Sequence, residues 1–391
     1  MRQTGFFCQN ISNYIVIAFA DGMSASLAVG FVSFVFVVPL FCKVFEVFLR
    51  RRSTVGNLAK KSVVITGCDS GFGRLLALRT VALGMPTFAT CKTEEGVRSL
   101  KQLLSDISPE SSEKTWVLQL DVTSQSSVEE AYAFVRDNLG SSGVSQGLVG
   151  RQLALSLIFR VCKRNDYHIF YLAQLWALVN NAGILGVSLP DEWLTVDDYR
   201  QTMEVNFLGQ IRTTQTFRPM LENSHGRMIF MSSVLGRVST PLLGPYQTTK
   251  HALDSYVDML RQELLCRNVF VSIVEPGFFT TNLTNGGDPL KSYIEEGRLG
   301  EKEAKEIAAY GSHKLFLDKF CSKRTELVTK AYEEAITSKY PRYRYTVGID
   351  AFLFWIPLAY LPTWFALRMS AIVGKFFNVN VILEKKRAHS S

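Results

Sequence analysis

The sequence has no Cys-x-x-Cys pair and no histidine-flanked cysteine spacing, although it carries seven cysteines, at positions 8, 42, 68, 91, 162, 266 and 321. That argues against a structural zinc site, and the odd count argues against a closed disulfide framework. The thiols read instead as small buried hydrophobes. The sequence also lacks the apolar depletion of a disordered chain: 47% of its 391 residues are hydrophobic, enough for one large α/β domain with appendages or two ordinary domains. A basic face interleaved with aromatics, as nucleic acid binding prefers, is missing as well. The excess of 43 basic over 35 acidic residues, net +8, is drawn largely from Arg50-Arg51-Arg52 and Lys385-Lys386-Arg387. Basic runs beside apolar segments point to a membrane surface and away from nucleic acid.

One long uncharged run is present. Gly22 to Cys42 spans 21 residues between Asp21 and Lys43, close to the roughly 20 that cross a bilayer as a helix. A cleaved signal peptide would have a shorter apolar core with a small-residue cleavage site behind it. Here Lys43 and Arg50 to Arg52 follow, as in an anchor. The positive-inside rule then places the rest of the chain in the cytosol. The expected organisation is an extension over 1–21, a transmembrane anchor over 22–42, a basic linker over 43–60, a catalytic domain over 61–345, and an apolar tail with a basic end over 346–391. In the tail, Ala351 to Leu367 contains Pro357 and Pro362 and is short for a span. It reads as an interfacial or substrate-mouth segment, with a second membrane helix as the weaker alternative.

From Lys61 onward, short β-branched runs alternate with amphipathic stretches, the pattern of a doubly wound parallel sheet. Strands are predicted over Ser62–Ile65, Thr87–Cys91, Thr115–Leu120, Trp176–Val179, Arg227–Met231 and Val269–Val274. Helices are predicted over Phe72–Leu83, Val97–Leu104, Val128–Asn138, Val205–Leu221 and Tyr246–Cys266. Six strands in this order make a Rossmann-type domain.

The first strand runs into Thr66-Gly67-Cys68-Asp69-Ser70-Gly71-Phe72-Gly73. Glycines are needed where backbone N–H groups must approach a pyrophosphate at a helix N-terminus and a Cβ would collide. A strand before and a helix after supply the context that makes this a dinucleotide site, with Gly67, Ser70, Gly71, Phe72 and Gly73 as its residues. At the end of the second strand, Cys91-Lys92 stands where an NAD enzyme places an acid for the ribose hydroxyls. Lys92 either accepts a 2′-phosphate or is an ordinary solvated lysine. Further along, Tyr246 and Lys250 are one helical turn apart, so both project into the same space. A phenol titrates near 10; a neighbouring ammonium and a positively charged nicotinamide ring favour the phenolate. Ser233, thirteen residues earlier, falls at the end of the fifth strand, where a hydroxyl can hold a substrate oxygen. Its neighbour Ser232 is equally placed by position alone.

The glycine turn, Asp121-Val122-Thr123, Asn180-Asn181-Ala182-Gly183 and Pro276-Gly277 together resemble the short-chain dehydrogenases. The resemblance implies that Asp121 and Val122 meet the adenine, that Asn180, Ala182 and Gly183 wall the cofactor cleft, and that Pro276, Gly277 and Thr281 lie along the nicotinamide. It favours Ser233 over Ser232 and adds Asn206 as a fourth member beside Ser233, Tyr246 and Lys250, supporting a water relay from the lysine. Leu178 to Leu185, Ser232 to Arg237 and Val274 to Phe279 resemble the retinol dehydrogenase and 17-beta-hydroxysteroid dehydrogenase branch. That likeness implies NAD in preference to NADP, a retinoid or hydroxysteroid alcohol, residence at the endoplasmic reticulum membrane, and homodimerisation. The four intact catalytic positions argue against a silent cofactor-binding scaffold or lipid-binding protein, and the Tyr/Lys pair against a Rossmann methyltransferase.

One segment departs from the branch. Val144 to Gln174 adds 31 residues before the fourth strand, apolar over Leu153–Val161 and basic at Lys163-Arg164. A membrane-docking insertion, a helix over the active site, or translated intron would each explain it, and the last is favoured. Val-Ser at the start fits a splice-donor sequence, and Gln174 fits an acceptor. Excision keeps the frame and joins Gly143 to Leu175.

Overall fold

The computed structural model describes residues 53–107, 114–139, 174–281, 297, 300 and 321–376. The anchor predicted over 22–42, most of the 144–174 insertion and the basic C-terminus lie outside them. No helix among the described residues is long and apolar enough to cross a membrane. Ser53 and Thr54 form a small separate unit with Ser338–Tyr340, in which Thr54 and Ser338 make an antiparallel bridge.

The main unit is a parallel sheet of seven strands in the order β3-β2-β1-β4-β5-β6-β7. Its strands are β1 (Lys61–Ile65), β2 (Thr87–Cys91), β3 (Thr115–Gln119), β4 (Gln174–Asn180), β5 (Arg227–Met231), β6 (Phe270–Pro276) and β7 (Arg344–Val347). The first six fall on the predicted runs; the central ones among them are covered on both faces and so are continuously apolar. β2 and β5, for example, are buried at every residue. The seventh strand was not foreseen. Arg344-Tyr345-Thr346-Val347 alternates half-buried or exposed with buried positions, as an edge strand does, and it crosses position 345, where the tail was expected to begin.

Helices cover both faces. On one, α1 (Gly71–Ala82) and α7 (Glu326–Thr337) bury Leu76, Ala77, Val328, Tyr332 and Ile336 against Val63, Ile65 and Val179. On the other, α3 (Gln125–Asn138), α5 (Gly209–Ser224) and α6 (Gly244–Leu264) bury Val128, Phe217, Leu253, Val257 and Leu260 against Val64, Phe88, Leu178 and Phe230. Between β2 and β3 runs α2 (Glu94–Ile107). A capping box of Thr195 and Asp198 starts α4 (Val196–Met203), which continues through a π-helical stretch, Glu204–Leu208, into α5. After β7 come another π stretch, Ala351–Trp355, then α8 (Ile356–Ala359) and α9 (Thr363–Phe376). The strand order reverses between β1 and β4, so a crevice opens outside their C-terminal ends. Every motif singled out above lies at that end of the sheet.

Candidate active site

The glycine turn leaves β1 with Gly67 at φ +70° and Gly71 at φ +59°, conformations that side chains with a Cβ rarely adopt. A Cβ on Gly67 would stand 2.8 Å from the Cα of Ala182, and one on Gly73 would collide with the Gly67 carbonyl. Gly71 is different: the nearest atom to its Cβ position is Thr281 Cβ, at 3.8 Å, so this glycine fronts open space facing the loop after β6. Phe72 meets Phe279 of that loop edge to face, with ring centroids 6.0 Å apart. Ser70 caps α1 without a side-chain hydrogen bond, leaving the first N–H groups of the helix for a ligand. A cradle closed to side chains behind and open in front fits a pyrophosphate.

Asn181, in the Asn180–Gly183 run, clamps this cradle. Its side-chain amide donates to the carbonyls of Thr66 (2.9 Å) and Gly67 (3.1 Å), and the Thr66 hydroxyl accepts the N–H groups of Asn181 and Ala182. Asn180 is fully buried and turned the other way: its amide donates to Thr214 and its carbonyl oxygen accepts from Thr213, so its side chain ties β4 to α5 and does not line the cleft. Gly183 does line it, since a Cβ there would stand 3.2 Å from Asn206 Oδ1 and 3.9 Å from Lys250 Nζ.

At the adenosine end, Lys92 is ion-paired with Asp121 at 3.4 Å. Burial alone would raise the Asp121 carboxyl, but the Thr123 N–H and hydroxyl, with Lys92, outweigh it and hold the group below its ordinary range. Val122 packs against Gly209, and Arg212 donates to its carbonyl. An acid does stand at the end of β2, from another part of the chain. The Asp69 carboxylate, in the glycine turn, accepts the N–H groups of Lys92 (2.8 Å) and Thr93 (3.0 Å) and the Thr93 hydroxyl. A side chain 23 positions away in sequence thus stands at the end of β2.

The reacting end is built on β5 and α6. Pro245 opens the first turn of α6, and Tyr246 and Lys250 follow on its buried face. Ser232 and Ser233 leave β5 with side chains directed apart. Ser233 lies beside Tyr246, with its Oγ accepting the Leu235 N–H at 3.2 Å, whereas Ser232 donates to Asp254 at 2.5 Å. Lys250 Nζ stands 5.3 Å from the Tyr246 ring centroid and donates to the Met231 carbonyl at 2.8 Å. Asn206, inside the π stretch, accepts the Ile184 N–H at 2.7 Å and donates to the Ile184 carbonyl and to Thr249. A π stretch reorients helix residues at functional sites; here it aims Asn206 at the run that walls the cleft. Thus Asn206 and Lys250 meet at Gly183, with Tyr246 beside Lys250 and Ser233 beside Tyr246.

The electrostatics differ from the expectation in one respect. Burial pushes the Tyr246 phenol up to about 12, against a downward pull from Ser233. Burial also lowers the Lys250 ammonium to about 8, with Asp254 acting to raise it. In the protein alone the lysine does not hold the tyrosine as phenolate, because desolvation dominates both groups.

Around Tyr246 the surroundings are apolar: Val234, Leu235, Val238, Leu243, Ala351, Trp355 and Leu358 form one buried cluster with it. The tail therefore covers Tyr246. Asp350 ties it down by accepting the Phe278 N–H at 2.9 Å, and a Cβ at Gly277 would collide with that carboxylate, which explains the glycine after Pro276.

A parallel Rossmann sheet, a glycine cradle and a Ser/Tyr/Lys group at one crevice define a nicotinamide-dependent dehydrogenase. The short chain dehydrogenase family model matches residues 61–144 and 168–289, and the chain belongs to that family. It is an oxidoreductase acting on CH–OH donors. Its curated relatives include mouse (Mus musculus) retinol dehydrogenase 16, 37% identical over 81% of this chain and 90% of that protein. Another is human (Homo sapiens) 17-beta-hydroxysteroid dehydrogenase type 6, 36% identical over 80% and 89%. Both lie in the branch that the motifs resemble. In fold it is similar to a short-chain dehydrogenase from Streptomyces avermitilis, with a TM-score of 0.55 at 21% identity, covering 82% of this chain and 98% of that one. The family match breaks off at 144 and resumes at 168, inside the segment that departs from the branch.

Proposed function

We propose that the chain interconverts a lipophilic secondary or allylic alcohol, of retinoid or hydroxysteroid type, and its carbonyl, with Tyr246 as the proton-transfer group. The observation that carries this reading is a buried phenol beside Ser233 and one turn from Lys250, set in an otherwise apolar cluster. An apolar site with two hydroxyls at its floor selects a greasy molecule presenting one oxygen.

The nicotinamide dinucleotide, when bound, supplies the hydride acceptor or donor. The glycine cradle and the start of α1 hold its pyrophosphate. Ser233 fixes the substrate oxygen beside the Tyr246 hydroxyl. In reduction Tyr246 gives its proton to that oxygen, a role suited to a phenol held protonated by burial. In oxidation it takes the alcohol proton, and the positive charge of Lys250 favours the phenolate that results. Asn206 fixes the Ile184 peptide along the cleft wall.

NAD is the favoured cofactor. Asp69 sets a negative charge at the ribose end of β2, unfavourable to a 2′-phosphate, and the Lys92 ammonium that would welcome one is paired with Asp121. The uncharged run 22–42 anchors the enzyme in the endoplasmic reticulum membrane with the domain on the cytosolic side. The tail adds contact through Phe352, Leu353, Trp364 and Leu367, all more than 60% exposed. The expected result in cells is that the protein stays with membranes through alkaline carbonate extraction; release into the supernatant refutes the anchor.

Steady-state kinetics of the detergent-solubilised chain, with NAD and NADP against retinol and steroid panels, test the activity. Replacing Tyr246 by Phe is expected to abolish turnover and leave cofactor binding nearly intact. Substantial residual turnover would remove Tyr246 from the role.

A further inference from the structure

Behind Ser233 and Lys250, away from the cleft, lies a group of charges that the proposed reaction does not use. Asp254 stands one turn beyond Lys250 on α6 and is 7% exposed. One oxygen of its carboxylate accepts the Ser232 hydroxyl at 2.5 Å, and the other accepts Arg344 at 2.7 Å. Arg344, on β7, also donates to Glu275 (2.6 Å) and Asp258 (2.8 Å). Glu275, fully buried at the end of β6, is held through both oxygens by Arg237, which donates further to the Tyr360 hydroxyl at the end of α8. The groups facing Asp254 are therefore Ser232 from β5, Glu275 from β6, Arg344 from β7, and Lys250 and Asp258 from its own helix.

Desolvating this many charges is costly, and a cluster of apolar residues would fill the space as stably or better. Its position gives it a use. Ser232 and Ser233 are consecutive, so fixing the first side chain from behind fixes the peptide that presents the second to Tyr246. Gly236 keeps the approach open, since a Cβ there would stand 2.9 Å from Ser232 Oγ and 3.0 Å from Asp254 Oδ1. Among the described residues, the same carboxylate supports the Lys250 ammonium in its buried setting.

We propose that Asp254 is a positioning residue for the reaction, holding Ser233 through Ser232 and keeping Lys250 charged, with Arg344 and Glu275 orienting its carboxylate. The inference rests on the reading of Tyr246, Lys250 and Ser233 as the reacting group.

Its test is the pH profile of kcat for carbonyl reduction by the full-length, detergent-solubilised enzyme. In that direction Tyr246 must be protonated and Lys250 charged. With the phenol near 12 and the ammonium near 8, the alkaline fall reports the lysine. Asp254→Asn removes the supporting charge, and the alkaline limb is expected to move about one pH unit toward acid, with kcat at neutrality falling roughly tenfold or more. Asp258→Asn, which touches Arg344 but not Ser232, is expected to leave the limb in place. Ser232→Ala keeps Asp254 paired with Arg344; it is expected to lower kcat while the KM for cofactor and the limb stay unchanged, and it carries the test if Asp254→Asn does not fold. An unmoved limb in folded Asp254→Asn, or an unchanged kcat in Ser232→Ala, overturns the proposal. Tyr246→Phe, run alongside, separates the two readings, since turnover in that variant refutes the reacting group itself.

Discussion

The Tyr332 hydroxyl donates to the side-chain oxygen of Asn181 at 3.0 Å, joining α7 to the clamp on the glycine turn across 151 positions of sequence. Tyr332 is fully buried and Asn181 half-buried, and the Asn181 amide spends its two N–H bonds on the Thr66 and Gly67 carbonyls. Removing the amide strands two carbonyls, at about 1–3 kcal/mol each if they stay dry. Asn181→Ala is therefore expected to lower Tm by about 5 °C or more and to raise the cofactor KM roughly tenfold, whereas Tyr332→Phe, losing one bond, does less of both. Thermal melts with and without cofactor, and cofactor titrations, measure it; an unaltered cofactor KM in Asn181→Ala would show that the clamp does not shape the cradle.

The Asn-Asn pair shows what a sequence can and cannot carry. Neighbours on a strand point to opposite faces, so one of them had to serve the turn and the other the core, but nothing in their order said which. Periodicity located the five central strands because they are covered on both faces and largely apolar, and β3, at the opposite edge, through its run Trp116-Val117-Leu118. β7 escaped because an edge strand holding Arg344 and Thr346 satisfies its polar groups through Asp254, Asp258 and Glu275, partners set 69 to 90 positions earlier. The Tyr246/Lys250 pair was legible because one helical turn fixes its geometry. The charge cluster behind it was not, since it is assembled from four elements.

Asp69 leads to a prediction about cofactor choice. Its carboxylate braces the backbone of Lys92 and Thr93 and carries a negative charge to the end of β2. Like charges brought together cost several kcal/mol, so a 2′-phosphate is disfavoured there. Asp69→Asn keeps the size and removes the charge. The ratio of kcat/KM for NADP to that for NAD is expected to rise tenfold or more, whatever the change in absolute rate. An unchanged ratio would mean that Asp69 is a loop brace alone.

Lys250 makes stability depend on pH in a direction that can be worked out. Burial lowers its ammonium from an ordinary 10.5 to about 8, so the unfolded chain binds the proton more tightly than the native one. Between pH 8 and 10.5 the unfolded state holds more protons, and stability rises with pH in that window. Below it the full penalty of a charged buried lysine applies, roughly 3 kcal/mol. Lys250→Met lacks this dependence. Subtracting its urea-unfolding free energy from that of the parent chain is expected to give a difference that grows in the parent's favour from pH 8 to 10.5. A flat difference would mean that Lys250 keeps an ordinary affinity for its proton in the fold. Tyr246 acts oppositely, its phenol raised to about 12 costing stability above pH 10, and it is common to both chains.

The 144–174 segment yields the last prediction. In a right-handed β-α-β crossover the helix returns to the sheet through a short loop, commonly two to six residues. Here α3 ends at Asn138 and β4 begins at Gln174, with Lys61 paired to Gln174 and Ser62 to Leu175. Joining Gly143 to Leu175 leaves Gly140-Ser141-Ser142-Gly143 as a loop of ordinary length. It keeps every buried residue of β4 from Leu175 onward and loses one exposed position at its start. The family match resumes only at 168, so most of the segment answers to no part of the shared domain. A chain lacking 144–174 is therefore expected to fold with a Tm within a few degrees of the parent and to retain its kcat. Transcripts without these codons are expected beside those with them. Aggregation of the shortened chain, together with a message that always contains the segment, would establish it as part of the enzyme.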